Sequence, residues 1–552
     1  MLNWAGMVDA GGHNLKMPLS AIQPGACAAH LPAGTDPGSL DLLAEGSLPA
    51  AWARRWAAEP RRPVLRDALQ HQDGGRGWVT QGQLDQNSRR VAGRLYRAGL
   101  WPRDRVLVSA GTSLDLVTAY LGALRLGLVV VPVNTAYREP EVAHIVRDAE
   151  PRAAIVDQRE RGKWIRRAAG GDLLVTAPAV DLPDPVDNPG SPPAVSDSFE
   201  TGGPPSREGV FGVPDIGPDD PALLCYTSGT TGSPKGAVLS HGNLLASAEA
   251  LRLAWRWTER DRLVLALPLF HVHGLAVGLH GTLLAGGSAV LFERFEVDQV
   301  LDAARQQAAT LFFGVPTMYA RLAASPRAPE LGALRLCVSG SAPLPPVLFE
   351  RLAELSGQRV LERYGMTETL MNVSNPYDGE RRPGTVGLPL PGVELRLDGG
   401  HRGEILLKGP NVFAGYRRDP AATEAAFDAE GWFHSGDLGS LDQAGYLRIE
   451  GRSKELIISG GFNVYPREVE EVLLAHPAVA EAAVVGSPSE EWGEVVIAYV
   501  VASEGGPPPS EVELAAFTAD RLAPFKRPRQ VRYVDALPRN ALGKVLKHKL
   551  ER

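Results

Sequence analysis

The feature of this sequence that most constrains its fold is a repeated alternation of short apolar runs with amphipathic stretches. Apolar runs at 105–110, 129–133 and 153–157 are separated by stretches of helical pattern at 113–126 and 139–148. Strands that alternate with helices of this length indicate parallel sheets covered by helices, and therefore a layered α/β fold. The chain has 552 residues, which is too long for one compact core, so at least two domains are expected.

Changes of pattern along the chain predict three regions. Residues 1–50 are rich in Gly, Ala and Pro and are expected to form a disordered or loosely attached extension. The α/β alternation predicts a large N-terminal domain over 51–452, with a loop or insertion at 180–219. Short strands and turns over 384–451 predict a small β-barrel or β-rich subdomain within it. Residues 453–552 are expected to form a separate, small α+β C-terminal domain.

Composition excludes several classes of protein. An apolar fraction of 44% and a charged fraction of 22% are typical of a soluble globular protein. The formal net charge of −7 argues against nucleic acid as a partner. Cys27, Cys225 and Cys337 are far apart and odd in number, so they suggest neither a disulfide framework nor a metal-ligand pattern. This cysteine usage is typical of a reducing compartment, and we expect a cytoplasmic location.

One uncharged stretch has to be weighed as a membrane span. No charged residue stands between Arg262 and Glu293, a length that could cross a bilayer. Pro268, three histidines and five glycines interrupt the stretch, and its pattern divides into strand, helix and strand. We therefore interpret it as a buried βαβ unit. The first ten residues have neither a basic start nor a sustained apolar run, so no secretory signal is expected there.

A run of hydroxyl residues and glycines stands between apolar strands predicted at 222–225 and 237–240. It spans 226–236 and reads Tyr-Thr-Ser-Gly-Thr-Thr-Gly-Ser-Pro-Lys-Gly. Glycines let backbone N–H groups approach an anion, and the hydroxyls and the lysine add donors and a positive charge. The run therefore predicts a polyphosphate-binding loop. It is not a Walker A loop, because that spacing would require glycine at Pro234. A flexible linker is the alternative, which the flanking apolar strands disfavour.

Two later turns carry acidic residues of a suitable kind for nucleotide binding. Thr367 and Glu368 stand at the end of a strand predicted to begin at Val360, and Mg²⁺ prefers carboxylate and phosphate oxygens. Asp437 follows Ser435-Gly436, and a carboxylate there could accept from both hydroxyls of a ribose. The structural alternatives are a solvated surface turn at Glu368 and a local Asx turn at Asp437.

The run at 226–236 resembles the signature loop of the acyl-adenylate-forming enzymes. That superfamily includes acyl-CoA synthetases, luciferases and peptide-synthetase adenylation domains. Its later motifs are matched, in family order, by Tyr-Gly-Met-Thr-Glu (364–368), Ser-Gly-Asp (435–437), Gly-Arg-Ser-Lys (451–454) and Pro-Arg-Asn-Ala-Leu-Gly-Lys (538–544). The resemblance therefore extends over nearly the whole chain.

The resemblance implies a two-step reaction with ATP, Mg²⁺ and coenzyme A as co-substrates. A carboxylate attacks the α-phosphate of ATP and expels pyrophosphate, and a thiol then attacks the acyl-adenylate. The first step would place Lys544 in the site. A mobile C-terminal domain would then rotate about Lys454 and present the turn of Ser459, Gly460 and Gly461 to the thiol.

The resemblance also assigns the remaining roles. Glu368 is implied as the metal ligand, and the catalytic residues are implied to be Lys544, Thr231, His271 and Lys235. The residues implied to bind ATP are Thr227, Ser228, Gly229, Thr230, Thr231, Gly232, Lys235, Ser341, Ala342, Pro343, Glu362, Tyr364, Gly365, Met366, Thr367, Asp437, Arg452 and Lys544.

The acyl substrate is suggested by polar residues where a fatty or aryl acid would need apolar ones. Arg363 stands directly before the Tyr364 motif, and a guanidinium can hold a second carboxylate bidentately. His271, His273 and Ser341 add polar groups to the same expected pocket. Together they resemble malonyl-CoA synthetases, so malonate, or methylmalonate, is the expected acid. The alternative for Arg363 is an outward salt bridge with Glu362.

Three other functions stay open on the sequence. A fatty or aryl acyl-CoA synthetase would share the ATP motifs and differ in its acid. A peptide-synthetase adenylation domain would adjoin a carrier domain, whereas this chain ends eight residues after Lys544. A non-catalytic AMP-binding homologue is disfavoured by the presence of Lys235, Glu368 and Lys544. The expected partners are small molecules, without integral membrane contact, and both monomer and homodimer are consistent with the sequence.

Overall fold

The structure is a computed structural model that describes residues 27–68, 77–182, 214–227, 234–503, 507–540 and 543–550. Three sequence expectations therefore lie wholly or partly outside the described residues. They concern the start of the N-terminal extension (1–26), most of the loop at 180–219, and the centre of the phosphate loop (228–233).

Two stacked sheets, with helices between and outside them, form most of the N-terminal domain. The nine-stranded sheet has the order β15-β14-β13-β12-β11-β9-β10-β1-β2, and the seven-stranded sheet the order β18-β8-β7-β4-β3-β5-β6. The strands of the N-terminal domain are β1 (Pro63–Asp67), β2 (Val79–Thr80), β3 (Arg105–Ser109), β4 (Val129–Pro132), β5 (Ala153–Val156), β6 (Leu174–Thr176), β7 (Pro221–Thr227), β8 (Lys235–Ser240), β9 (Arg262–Leu265), β10 (Ser288–Leu291), β11 (Leu311–Gly314), β12 (Leu336–Ser339), β13 (Leu361–Met366), β14 (Leu370–Ser374), β15 (Leu388–Pro389), β16 (Glu394–Asp398), β17 (Arg402–Lys408), β18 (Gly415–Tyr416), β19 (Phe433–Leu441) and β20 (Leu447–Arg452).

The central strands of both sheets are parallel, as the alternation predicts. Their inner faces are covered by apolar helices, and one large core cluster contains buried side chains from both sheets and from the helices between them. The helices are α1 (Leu48–Ala58), α2 (Gln81–Arg97), α3 (Leu114–Arg125), α4 (Glu139–Ala149), α5 (Arg159–Ala169), α6 (His241–Ala254), α7 (His280–Ala285), α8 (Val297–Gln306), α9 (Pro316–Ala324), α10 (Pro346–Ser356) and α11 (Pro420–Glu424).

The uncharged stretch forms the strand–helix–strand unit that its pattern predicts. It comprises β9, a π-helical segment at His273–Leu279 that continues as α7, and β10. Strands β9 and β10 pair in parallel inside the nine-stranded sheet. Among the helices of the described residues, none is long and apolar enough to cross a bilayer.

The predicted β-rich subdomain forms, as an open sheet and not as a closed barrel. Strands β16, β17, β19 and β20 form an antiparallel sheet in the order β16-β17-β19-β20, and its two edge strands do not pair with each other. Four strands are too few to curl around an apolar interior, so the sheet stays open and packs on the rest of the domain instead. Three buried side chains of this sheet belong to the large core cluster, namely Ile405, Phe433 and Leu447.

The C-terminal domain is a small α+β unit with a core of its own. Its sheet has the order β22-β21-β24-β23, and a fifth strand pairs in parallel with β24. Ser510 and Glu513 form the predicted capping box at the start of its second helix. The elements are β21 (Ile457–Ser459), β22 (Phe462–Val464), α12 (Pro466–Leu474), β23 (Val479–Ser489), β24 (Gly493–Ala502), α13 (Glu511–Ala519) and β25 (Gln530–Tyr533).

Residues 27–50 differ from the loose extension expected for them. Cys27 and His30 are buried, and the His30 ring lies 3.1 Å from the carbonyl oxygen of Leu388. The guanidinium of Arg256 donates to the carbonyl oxygens of His30 and Leu31, at 2.6 and 2.8 Å. These contacts are made by main-chain carbonyls, which have no signature in the amino-acid pattern. The three cysteines of the chain are buried and free.

We predict that Arg256→Met releases this segment from the domain. The substitution removes two charge-assisted hydrogen bonds, each of which contributes about 1.5–3 kcal/mol. Backbone amides at 27–47 should then exchange with solvent at least about tenfold faster, as measured by hydrogen exchange and mass spectrometry. Arg260→Met is the matched control, because that side chain is 91% exposed. Unchanged exchange in Arg256→Met would show that other contacts hold the segment.

Candidate active site

An antiparallel hairpin holds the two ends of the predicted phosphate loop. Strand β7 leads into the loop, β8 leaves it, and their last pair is Thr227 opposite Lys235. The Lys235 ammonium lies 3.7 Å from a carboxylate oxygen of Asp419 and 5.4 Å from the ring centre of Tyr416. The hairpin therefore places one hydroxyl and one positive charge side by side where the loop begins and ends.

The motif at 364–368 lies where β13 turns back into β14. Strand β13 pairs in parallel with β12 and antiparallel with β14, so this turn stands at the end of the nine-stranded sheet. Gly365 is required there, because a Cβ would lie 2.1 Å from the carbonyl oxygen of Leu370. The tight pairing fixes Thr367 and Glu368 relative to the sheet.

Glu368 is a buried carboxylate among hydroxyl groups. It is 6% exposed, and the Tyr416 hydroxyl donates to its Oε1 at 3.1 Å. Burial raises the pKa of Glu368, and the neighbouring hydroxyls of Tyr416 and Thr227 oppose that effect. One carboxylate with neighbouring hydroxyl oxygens fits Mg²⁺, which takes hard oxygen ligands and completes its shell with phosphates and water. The residues present therefore fit a magnesium–nucleotide complex, with Glu368 as the protein ligand.

Asp437 is held between Tyr364 and Arg452. The Tyr364 hydroxyl donates to its Oδ2 at 2.6 Å, and Nε of Arg452 lies 2.9 Å from its Oδ1 in an ion pair. Asp437 and Arg452 are also direct cross-strand partners in β19 and β20. The carboxylate in turn raises the pKa of Arg452. Three residues from separate motifs thus form one cluster, which can present an oriented carboxylate to a ribose.

Lys544 faces this cluster from the C-terminal domain. A Cβ on the preceding Gly543 would lie 2.9 Å from Oγ1 of Thr317 at the start of α9, so the loop that carries Lys544 lies against the N-terminal domain. The lysine side chain keeps contact with solvent. Partial burial in the cleft, followed by the positive charge of Arg452, nevertheless lowers its pKa, and Asp437 opposes that effect. Its ammonium is therefore electrostatically coupled to the nucleotide cluster.

The predicted hinge and coenzyme A residues lie at the start of the C-terminal domain. Lys454 is in a 3₁₀ turn, Ser453–Glu455, and Ser453 donates to the carbonyl oxygen of Gly436 at 3.2 Å. Gly460, in the turn between β21 and β22, donates its N–H to the carbonyl oxygen of Trp492 at 2.8 Å. This turn contacts its own domain, so the structure does not bring the predicted coenzyme A residues together with the nucleotide cluster.

Arg363 is the most unusual residue of the predicted acyl site. Its side chain is 4% exposed, and its Nε and Nη2 have no hydrogen-bond partner among the described residues. The guanidinium lies flat against Gly340, where a Cβ would stand 2.4 Å from its central carbon. Burial lowers the pKa of Arg363 to about 9, which still leaves it charged at neutral pH. A buried charge without a partner is costly, so the geometry favours an anionic ligand.

His271, His273 and Ser341 lie beside this guanidinium. Nδ1 of His273 is 3.1 Å from the Ser341 hydroxyl, and its Nε2 is buried without a partner among the described residues. Burial and the Arg363 charge lower the pKa of His271 to about 3 and that of His273 well below its usual value. Both rings are therefore neutral at physiological pH. Ser341 adopts φ +70°, a strained backbone conformation that turns its hydroxyl toward His273.

The alternative salt bridge between Arg363 and Glu362 does not form. Neighbouring residues of a strand point to opposite faces, and the buried Glu362 carboxylate accepts the Leu344 N–H at 2.9 Å. Burial raises the pKa of Glu362 to about 7, and the charge of Arg467 opposes that effect. Ala342 and Pro343 follow Ser341 in the segment between β12 and α10.

Two residues near the site have no counterpart in the sequence predictions. Tyr416 hydrogen-bonds to Glu368, although it stands 48 residues away along the chain. Thr317 meets the loop that carries Lys544. Each residue reaches the site through the pairing of distant elements. For Tyr416, the sequence offers only the Gly-Tyr pair at 415–416 as a local indication. Residues 228–233, which include Ser228, Gly229, Thr230, Thr231 and Gly232, lie outside the described part of the chain.

Comparisons with known proteins agree with this arrangement. A family model described as AMP-binding enzyme matches residues 52–417, and a second, described as AMP-binding enzyme C-terminal domain, matches residues 468–544. The chain is 36% identical over 532 residues to the sulfoacetate–CoA ligase of Cupriavidus necator, covering 94% of this chain and 99% of that protein.

Solved structures match over nearly the whole length. The ATP-bound crystal structure of MatB from Rhodopseudomonas palustris is 39% identical, with a TM-score of 0.81 over 91% of this chain and 98% of that chain. A malonyl-CoA ligase in a ternary product complex with methylmalonyl-CoA and AMP is 42% identical, with a TM-score of 0.58 over 87% of this chain and 97% of that one.

We predict that Glu368→Gln lowers the activity of the enzyme without lowering its stability. Loss of the carboxylate should lower pyrophosphate release about a hundredfold and raise the Mg²⁺ concentration needed for half-maximal rate. Because burial raises the pKa of Glu368, its ionisation opposes folding as the pH rises through the unfolded pKa. The neutral amide should therefore keep or raise the thermal midpoint. Glu354→Gln, at an exposed site on α10, is the control. A normal Mg²⁺ requirement in Glu368→Gln would contradict the metal assignment.

Family model and fold support one conclusion. Two matched domains cover most of the chain, and solved structures of CoA ligases share its fold. The chain belongs to the AMP-binding enzyme family, as an AMP-forming acid–CoA ligase that uses ATP, Mg²⁺ and coenzyme A as co-substrates.

Proposed function

We propose that this ligase activates malonate, and that methylmalonate is a second substrate. The observation that carries the proposal is the buried Arg363, whose Nε and Nη2 have no partner among the described residues. A dicarboxylic acid would pair its distal carboxylate with this guanidinium and leave the other carboxylate to react. The resulting charge-assisted bonds offset the cost of burying both groups.

His273 and Ser341 orient the same distal carboxylate. If the Ser341 hydroxyl donates to Nδ1 of His273, the ring carries its proton on Nε2, which is the buried nitrogen without a partner. The neutral ring then donates a hydrogen bond without adding charge. His271 stands beside it, and its Nδ1 accepts the backbone N–H of His273 at 3.2 Å. We assign His271 to the neighbourhood of the reacting carboxylate.

The adenylation step depends on charge stabilisation at the α-phosphate. Lys544 supplies an ammonium next to the attacking carboxylate and the phosphate, where negative charge develops in the transition state. Asp437 holds the ribose hydroxyls, Lys235 and Thr227 lie at the base of the phosphate loop, and Glu368 holds Mg²⁺. The metal, when bound, neutralises the departing pyrophosphate. The protein contributes mostly position and charge.

The thioester step requires a different arrangement of the C-terminal domain. The first step needs Lys544 in the cleft and the second needs the turn of Ser459, Gly460 and Gly461, and both cannot occupy one cleft together. The higher TM-score to an ATP-bound relative, and the lower one to a relative with methylmalonyl-CoA and AMP, support two arrangements. We propose that the domain from residue 453 onward rotates about Lys454 between the steps.

A sulfonate is the second candidate for the distal group. Arg363 and His273 together offer three buried nitrogens without partners among the described residues. Three donors exceed what one carboxylate needs in bidentate pairing and match the three oxygens of a sulfonate. The sulfoacetate–CoA ligase relative covers 94% of this chain, which adds weight to this candidate. Pyrophosphate release across malonate, methylmalonate, sulfoacetate, acetate, benzoate and octanoate, with and without coenzyme A, separates the acids.

Arg363→Met tests the acyl assignment. The substitution keeps much of the side-chain length and removes the charge, so kcat/KM for malonate should fall by about two orders of magnitude or more. Turnover of butyrate should be spared or improved, because the pocket becomes apolar. Arg359→Met, at an exposed site just before β13, is the matched control. An unchanged malonate-to-butyrate ratio in Arg363→Met would remove the main support for a dicarboxylic substrate.

Lys544→Ala tests the rotation. Pyrophosphate release should fall by about two to three orders of magnitude, since one charge-stabilising group is lost. Supplied malonyl-adenylate should still be converted to the thioester at close to the normal rate, because Lys544 is outside the cleft in that step. Lys549→Ala removes an exposed lysine of the same segment and should change neither step. Equal loss of both steps in folded Lys544→Ala would count against the rotation.

A further inference from the structure

We propose that helix α4 positions the two ends of the phosphate loop, through His144 and Asp148. These residues stand four apart on the helix, so they lie on the same face, one turn apart. Neither belongs to a motif named above. We assign them as positioning residues for the adenylation step, which uses the pyrophosphate part of ATP, and not for the thioester step, which does not.

Asp148 holds the strand that enters the loop. The hydroxyl of Tyr226 donates to Oδ2 of Asp148, and Tyr226 immediately precedes Thr227 at the end of β7. Burial and the Asp148 carboxylate raise the pKa of Tyr226 well above its ordinary value, so the phenol stays a donor at all physiological pH values. The bond therefore ties the entering strand to the helix independently of pH.

His144 holds the strand that leaves the loop. Its Nε2 lies 2.9 Å from the carbonyl oxygen of Pro234, directly before Lys235. A carbonyl oxygen only accepts, so Nε2 carries the proton and donates. The His144 ring also packs edge-on against the Tyr226 ring, with centroids 6.4 Å apart and an interplanar angle of 82°. One helix face thus contacts both strands at the base of the hairpin.

Arg417 ties the same helix to the outer edge of the hairpin. Its Nε donates to the main-chain carbonyl of Asp148 at 2.8 Å, and its own N–H donates to the carbonyl oxygen of Gly236 at 2.7 Å. The neighbouring Tyr416 pairs with Ala237 in β8 and hydrogen-bonds to Glu368. Helix α4 is therefore connected to the phosphate-loop hairpin and, through β18, to the predicted metal ligand.

The contacts of α4 with β7 and β8 bear on the adenylation step. Beyond the residues that pair with β4 and β18, strands β7 and β8 pair only with each other among the described residues, and Thr227 and Lys235 form their last pair. Electrostatic stabilisation of a departing pyrophosphate requires donors at fixed positions, since small displacements reduce rates strongly. The two side chains of α4 supply this fixation from residues that do not touch the nucleotide. Loss of either should therefore slow the first step selectively.

The test compares the two half-reactions in a series of variants. His144→Phe keeps a ring and loses the donor, and Tyr226→Phe loses only the hydroxyl. Each should lower pyrophosphate release about tenfold, the effect of one hydrogen bond of about 1.4 kcal/mol. Thioester formation from supplied acyl-adenylate should change less than about twofold. His144→Gln, whose amide can donate in place of Nε2, should restore most of the pyrophosphate release. Arg147→Ala, at an exposed site on the same helix, is the matched control.

Three results would overturn the proposal. One is equal loss of both half-reactions in His144→Phe and Tyr226→Phe, which would indicate a general structural role. Another is unchanged pyrophosphate release in both variants. The third is His144→Gln behaving like His144→Phe, which would assign the effect to ring packing. The acid used is whichever one of the panel turns over fastest, so the outcome does not depend on malonate being the substrate.

Discussion

The pairing of β13 between β12 and β14 is the constraint on which the whole site depends. Side chains alternate across a strand, so Glu362 and Tyr364 point to one face and Arg363 to the other. Tyr364 thereby reaches Asp437, and Arg363 reaches the pocket that contains His273. A slip of one residue in this register would exchange the nucleotide contact for the acyl contact. The predicted acyl and nucleotide subsites are therefore adjacent, because their residues occupy opposite faces of one strand.

The site is built from groups that oppose folding. Arg363 is a buried cation without a partner among the described residues, and Glu368 is a buried carboxylate whose pKa is raised. Ser341 has a strained backbone, and the histidines beside it lie at the start of a π-helical segment. The large apolar core between the two sheets offsets these costs. The proposed dicarboxylic acid would supply the missing counter-charge to Arg363, so its binding would relieve an unfavourable feature of the free protein.

Local pattern predicted the elements of this fold well and their long-range pairing poorly. The alternation of apolar and amphipathic runs gave the strands and helices of both large sheets, because burial of a strand or of a helix face requires that period. The residue pattern predicted a β-rich subdomain at β16, β17, β19 and β20 but did not decide between a barrel and an open sheet, since no residue pattern states whether the two edge strands meet. The segment at 27–50 was expected to be loose, because its contacts run from main-chain carbonyls to Arg256.

In the candidate site, too, the local motifs were predictable and the long-range contacts were not. Arg363, Asp437, Glu368 and Lys544 stand in short motifs whose spacing is visible in the sequence. Their supports are not visible, because Tyr416, Thr317 and His144 reach the site only through the pairing of distant elements. The chemistry of a site is carried by a few local motifs, whereas its positioning is distributed over the fold. Side chains that position others must therefore be sought in the structure.

The contacts between the two domains suit a rotation of the C-terminal domain. The apolar clusters of the described residues are separate, since those of the N-terminal domain end before the linker at residue 453 and those of the C-terminal domain begin at Ile457. Polar contacts join the domains, among them Arg448 with Glu471 at 2.8 Å and Arg467 with the carbonyl oxygen of Ile449 at 2.7 Å.

Partly exposed ion pairs of this kind contribute about 0–1 kcal/mol, because water replaces the partner when they separate. The side chains of Arg448 and Glu471 are 41% and 25% exposed, which places this pair in that class. Separating the domains would therefore expose little apolar core and would break contacts that water can restore. A domain held in this way can move as a rigid body without unfolding, because its own core in β21, β23, β24 and α12 stays intact.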